Sequence, residues 1–196
     1  MMQDTEVGTA DRILKSALQL MQEKGFRPVT IKDIAQASQV SEMTVFRHFE
    51  SKKGVLEAAI HKYSYIPSFK NLFDSMILWD LKQDLEKIAH FYIDSMRQNQ
   101  SIFLIAVQER TTMPELAGFI SEHTNQLKEY ITQYFTAMQE KNKMVRTDAN
   151  VQAMNFLTML YGYFSSTALW GTQFINESKE LFISNFVTVF CNGIKE

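Results

Sequence analysis

Between positions 43 and 53 the chain holds Met43, Thr44, Phe46, Arg47 and His48, followed by Lys52 and Lys53. A hydroxyl, a guanidinium and an imidazole can bond base edges in the major groove, and two soft apolar side chains suit thymine methyls. The paired ammonium groups favour phosphate oxygens, contacts that position a protein on a duplex without reading its sequence. Charge alone does not carry this reading. Residues 1–63 hold nine Lys or Arg against eight Asp or Glu, and the whole chain of 196 residues has a formal net charge of -2. Such a balance gives weak long-range attraction to nucleic acid, and the same residue types also serve as an ordinary solvated face.

Other chemistry is poorly supplied. The four histidines, His48, His61, His90 and His123, show no metal-ligand spacing. Glu86 and His90 share a helix face at i and i+4, but no Glu-x-x-His pair of the di-iron kind accompanies them. No glycine-rich phosphate loop is present, and the single cysteine, Cys191, has no partner for a disulfide and no nearby catalytic base. The expectation is therefore a protein that is not an enzyme, with no catalytic residues, no cofactor and no metal. MMQDTEVGTADR lacks a basic head followed by an apolar run, so no signal peptide and a cytoplasmic location are expected.

The elements that must position residues 43–53 are legible from helix-start signals. Thr30, Ser41 and Ser51 each precede a short amphipathic run. A Ser or Thr oxygen at such a point accepts from a backbone N–H of the first turn, worth about 1 kcal/mol. Thr30 with Asp33 resembles a capping box with Asp in place of the usual Glu. The spacing predicts helices over 31–37 and 42–49, a turn at Ser38-Gln39-Val40, and a longer helix from Lys52 towards Tyr65. Ile34, Ala35, Val40, Val45 and Phe49 would pack the corner against an earlier helix carrying Ile13, Leu14, Ala17, Leu18 and Met21, which Gly25 would stop. Two short helices joined by a tight turn form a helix-turn-helix, whose second helix can enter the major groove.

This stretch resembles the tetracycline-repressor (TetR) family of transcriptional regulators, whose pattern is roughly T-x-x-x-I-A-x-x-A-G-V-S-x-G-T-x-Y-x-H-F-x-S-K-x-x-L. Thr30, Ile34, Ala35, Val40, Ser41, Thr44, His48, Phe49, Ser51 and Lys52 carry the resemblance, with Leu56 one place beyond the commonest spacing. It covers about residues 8–67, a third of the chain. The DNA contacts expected are Thr30, Lys32, Ser41, Met43, Thr44, Phe46, Arg47, His48, Lys52 and Lys53. Three positions depart from the pattern. Ser38-Gln39 replaces Ala-Gly, and a positive φ at Gln39 would cost about 1 kcal/mol relative to Gly. Met43 replaces a frequent Gly, and Phe46 stands where Tyr is common, removing a phenol oxygen.

Helical spacing continues through the rest of the chain, so the fold expected is all-α. The expected division is a helix-turn-helix domain at 1–66 and a helical ligand-binding and dimerisation domain at 67–196. Pro67 would end the fourth helix, a loose segment would lead to a cap at Asp80, and helices would follow at about 81–98, 101–110, 114–141, 148–175 and 178–193. No charged side chain lies between Asp148 and Glu177, yet polar residues interrupt this stretch about once per turn. Burial against a partner helix explains that better than a membrane span. Gly162 and Ser166 would allow close helix approach, and the following segment offers Leu181, Phe182, Phe186, Val189 and Phe190 as an apolar face, with Phe182, Phe186 and Phe190 as the expected dimer contacts.

The resemblance implies a homodimer on a palindromic double-stranded DNA operator, released by a small, largely apolar effector. Tyr92, Met96, Phe103, Arg110, Phe119, His123, Phe156, Met159, Tyr163 and Trp170 are the effector candidates. His123, on an apolar stripe, reads either as a satisfied core histidine or as a ligand contact, and Arg110 as an anion contact or a loop residue. The alternative from another class is a helical adaptor that binds a partner without DNA contact.

Overall fold

The computed structural model describes residues 8–63 and 66–194; the side chains of Pro114, Glu115, Ala117, Phe119 and Ile120 fall outside the description. The helices in chain order are α1 (Thr9–Lys24), α2 (Ile31–Ala37), α3 (Glu42–Phe49), α4 (Lys52–Lys62), α5 (Ile66–Ser75), α6 (Leu81–Gln98), α7 (Gln100–Gln108), α8 (Pro114–Glu140), α9 (Ala149–Trp170) and α10 (Lys179–Ile194). A 3-10 turn at Gly171–Gln173 follows α9, and no strand occurs among the described residues. The fold is all-α, with an N-terminal helix-turn-helix. Two compact units divide the chain, one of residues up to 64 with 101–119 and the other of 65–100 with 120–196.

In the first unit α1 buries the stripe Ile13, Leu14, Ala17 and Met21, spaced three and four apart. Gly25 ends the helix at φ +84°, its N–H bonded to the Met21 carbonyl at 2.9 Å. Against this stripe pack Ile34 and Ala35 of α2, Val45 of α3 and Val55, Leu56, Ala59 and Ile60 of α4. Val40 and Phe49 are partly buried on the same cluster, so the anticipated corner forms. Val45 is fully buried, which contributes about 1.5–3 kcal/mol. Residues 101–119 join this unit although they lie far along the chain: Ile105, Met113 and Leu116 belong to the same core.

The second unit buries Leu85, Ile88 and Ile93 of α6, Ile131 and Phe135 of α8, Phe156 and Leu160 of α9, and Val187 of α10 in one cluster. Asp84 is fully buried within it, yet both carboxylate oxygens are satisfied. The Leu78 N–H donates to one at 2.8 Å and the Tyr134 hydroxyl to the other at 3.0 Å. Burial and the neighbouring Asp84 charge push the Tyr134 phenol far above its usual value.

Two sequence expectations are corrected here. The segment after Pro67 is not loose: α5 spans Ile66–Ser75 and buries Phe69 and Leu72. Pro67 is its second residue, where a helix has no use for the missing N–H, so proline starts a helix there instead of only ending one. The charge-free helix is also shorter than 148–175, because Gly171 at φ +59° stops α9 at Trp170. Asp148 caps it, accepting from the Val151 N–H at 3.0 Å. No helix among the described residues is long and apolar enough to cross a membrane.

Candidate nucleic-acid interface

Each short helix of the first unit begins at the residue its sequence assigns. Thr30 Oγ1 accepts from the Asp33 N–H at 3.1 Å, and Asp33 Oδ2 accepts from the Thr30 N–H at 2.8 Å. This complete capping box holds the Asp33 carboxyl below the usual carboxylate value, chiefly through the two bonds from Thr30. Ser41 Oγ accepts from the Thr44 N–H at 3.1 Å, and Ser51 Oγ from the Gly54 N–H at 2.9 Å. The turn between α2 and α3 tightens through Ser38, whose Oγ donates to the Ile34 carbonyl at 2.6 Å. Gln39 takes φ +55°, the left-handed conformation that glycine accepts more readily. A buried serine bonded to the preceding turn and a strained glutamine thus occupy the place of Ala-Gly.

With Val45 turned inward and Phe49 packed on the same core, α3 presents Glu42, Met43, Phe46, Arg47 and His48 outward. Met43 is 74% exposed and Phe46 57%, and Arg47 and His48 are exposed beside them. Thr44 is half-buried, its hydroxyl 2.8 Å from that of Ser41 at the cap. Thr30, Lys32 and Ser41 are exposed around the starts of α2 and α3. Lys53 is exposed on α4, 3.6 Å from the Glu57 carboxylate.

Lys52 differs from the other cations. Its Nζ donates to the carbonyls of Phe26 and Arg27 and lies over the Phe26 ring. Burial pushes its pKa down, partly opposed by the Glu109 carboxylate. This ammonium is committed to tying the start of α4 to the loop after α1. Glu109, only 6% exposed, accepts from the Phe26 N–H at 3.1 Å and from the Thr112 hydroxyl. Sequence reasoning missed Glu109, since no local pattern links it to a residue 83 positions away. It also missed Gly54, at which a Cβ would lie 2.1 Å from the Phe49 carbonyl oxygen. The signal was available: a glycine within the first turn of a helix weakens it unless something approaches closely.

The effector candidates are not gathered into one lining. Tyr92, Phe156 and Tyr163 are buried in the core of the second unit, with Met96 packed against it. Phe103 is buried in the first unit, where the exposed Arg110 donates to the Val107 carbonyl at 3.1 Å. Met159 and Trp170 face solvent, His123 is half-buried, and the Phe119 side chain lies outside the described residues. A concavity of about 430 Å³ in the second unit is lined by other residues, including Trp79, Asp80, Lys82, Lys143 and Asn192. Among the described residues no three His, Cys, Asp or Glu side chains come together as metal ligands do.

Of the dimer candidates, Gly162 is exposed and Ser166 half-exposed on α9. Phe182, Phe186 and Phe190 turn inward instead. Phe182 stacks on Tyr163 with ring centres 4.2 Å apart, and Phe186 and Phe190 both lie 5.4 Å from Phe156. Of the expected apolar face of α10, Leu181 and Val189 are exposed, alongside Glu180, Ser184, Asn185, Asn192 and Gly193.

A capped helix pair with a solvent-facing second helix defines a helix-turn-helix protein. Residues 13–59 match the family model described as bacterial regulatory proteins, tetR family, and residues 83–193 match that of the AefR-like transcriptional repressor C-terminal domain. The chain belongs to the TetR family of transcriptional regulators, which are not enzymes. It is 28% identical over 186 residues to the HTH-type transcriptional regulator YvkB of Bacillus subtilis, covering 95% of this chain and 97% of that one. It is 23% identical over 181 residues to IcaR, the negative regulator of the biofilm operon icaADBC in Staphylococcus aureus, covering 88% and 91%. Among solved structures, a putative transcriptional regulator from Saccharomonospora viridis in complex with choline superposes with a TM-score of 0.77 at 20% identity, covering 95% and 97%.

Proposed function

We propose that the protein is a repressor that binds a palindromic operator as a homodimer and leaves it when a small, largely apolar molecule binds. The observation that carries the reading is the exposed face of α3, held out by three side-chain caps and one buried valine. Met43, Thr44, Phe46, Arg47 and His48 meet base edges. Thr30, Lys32, Ser41 and Lys53 meet the phosphate backbone, and Lys52 acts through the loop it braces.

The outward surfaces of α9 and α10 supply the partner contact. Met154, Met159, Leu181 and Val189 are exposed there, and α9 carries no charge along its length. A two-fold pair joined across this face presents two copies of α3 to two half-sites. The effector lodges beside Tyr92, Met96, Phe156 and Tyr163, the candidates that share one core cluster. The choline held by the Saccharomonospora protein is a precedent for a small-molecule occupant of this fold. Preferential binding to one conformation changes the separation of the two copies of α3; a coupling of 1–3 kcal/mol, typical for such switches, alters operator affinity about 5- to 150-fold.

The test is selection of bound fragments from genomic DNA, followed by sizing of the complex and a screen for compounds that release it. A palindromic consensus bound two subunits at a time supports the reading. Retention of no fragment at low salt leaves the adaptor as the function.

A further inference from the structure

Among the described residues of the first unit, Met43 and Phe46 are the only large apolar side chains that are exposed, at 74% and 57%. They stand three residues apart, so they are neighbours on one face of α3. Met43 is the second residue of that helix, in the part of a recognition helix that approaches base edges. Neither side chain can act as a strong hydrogen-bond partner: the Phe46 ring has no polar atom and the Met43 thioether is at best a weak acceptor. Polar readers flank them at Thr44, Arg47 and His48. The major-groove feature left for an apolar pair to recognise is the pyrimidine 5-methyl group, which only thymine carries among the unmodified bases.

We infer that Met43 and Phe46 recognise neighbouring thymine methyl groups, so that each operator half-site holds thymines facing them. The inference rests on the proposed DNA reading and adds to it the base class and the two residues that select it. Removal of one methyl from such a contact exposes about one carbon's worth of apolar surface, and the expected loss is about fourfold in affinity per methyl.

The experiment starts from the operator selected from genomic DNA. Each thymidine is replaced in turn by deoxyuridine, which keeps every base-pair hydrogen bond and removes only the methyl. The wild-type protein is expected to lose about fourfold at adjacent positions in each half-site. Met43→Ala and Phe46→Ala are expected to bind the thymine operator more weakly and to abolish the thymine–uracil difference, each at its own position. Both side chains are exposed, so unchanged thermal unfolding of the variants verifies that the head is intact. Selection of an operator followed by indifference to deoxyuridine at every position overturns the inference and leaves DNA binding standing. Variants that keep the full thymine–uracil difference also overturn it, because the methyl is then read by other groups. Failure to select any operator sinks the DNA reading itself, and this inference with it.

Discussion

Lys52 and Phe26 are joined twice: Nζ donates to the Phe26 carbonyl at 2.7 Å and lies 4.3 Å above the centre of its ring. A second bond, to the Arg27 carbonyl at 3.0 Å, fixes the loop that leads into α2. From the other side Glu109 holds the Phe26 N–H. The loop carrying Phe26 is therefore clamped between a cation at the start of α4 and an anion just past α7. The position of α2, and with it the entry to α3, depends on both.

Lys52→Met keeps the apolar stem and removes the two charge-assisted bonds, each worth about 1.5–3 kcal/mol when well shielded. Lys52 is only partly buried, so the expected loss is about 1–2 kcal/mol, seen as a lower denaturant midpoint at unchanged slope. Lys53→Met, at an exposed ion pair with Glu57, is expected to leave stability within about 0.5 kcal/mol while reducing the salt dependence of DNA binding by about one unit of slope. Equal midpoints for the two variants would remove Lys52 from its bracing role.

Gly54→Ala is expected to be far more damaging than a surface glycine change. The added carbon would meet the Phe49 carbonyl oxygen at 2.1 Å, and that oxygen is backbone, so α3 and α4 must part. A loss of about 2–4 kcal/mol is expected, against a helix-propensity gain of under about 1 kcal/mol. Gly193→Ala, where an added Cβ would meet nothing within 4 Å, is the control. Thermal unfolding checks both, and a Gly54→Ala protein that melts with the wild type would refute the close approach.

Acid should loosen α2 and α6 through their caps. Asp33 and Asp80 both have carboxyls held below the usual value, Asp33 by its bonds with Thr30 and Asp80 by its bond from the Gln83 N–H. A depressed folded pKa means stability that is present above the unfolded value of 3.8 and lost as pH falls through the folded one. Thr30→Ala is expected to return Asp33 towards its ordinary value and leave Asp80 unmoved. Carboxyl titration by NMR reads both at once, and an unchanged Asp33 would show that the capping box does not set its ionisation.

Local signals and long-range ones fared differently between sequence and structure. The caps at Thr30, Ser41 and Ser51 and the stripe from Ile13 to Met21 are local, set by one residue and its near neighbours, and each was legible. The left-handed Gln39 could be anticipated because the turn geometry, not the residue, dictates φ. Helix α5 was missed because Pro67 signals both an end and a beginning, and only the burial of Phe69 and Leu72 decides between them. On α10 the expected apolar face divides for a related reason, with Phe182, Phe186 and Phe190 packed on the core and Leu181 and Val189 exposed. The apolar residues of α10 occupy more than one face, so periodicity could not say which phenylalanines enter the core. Glu109 lay beyond any reading, since its partner Phe26 is near only after folding.

That ambiguity on α10 is what the last experiment resolves. Val189 is 72% exposed and Phe186 is 9% exposed, so a charge at each should act on different equilibria. Val189→Asp adds a charge to a solvated position of the single subunit and is expected to leave its unfolding within about 1 kcal/mol. In a two-fold pair joined across α9 and α10 the same substitution buries two carboxylates, where desolvation is costly, so the dimer should dissociate at micromolar concentration. Phe186→Asp removes a ring stacked on Phe156 and buries a carboxylate, and is expected to unfold the second unit outright. Sedimentation velocity and circular dichroism on the two proteins separate the outcomes. A Val189→Asp protein that stays dimeric moves the interface elsewhere, and operator binding that survives as a monomer removes the need for paired half-sites.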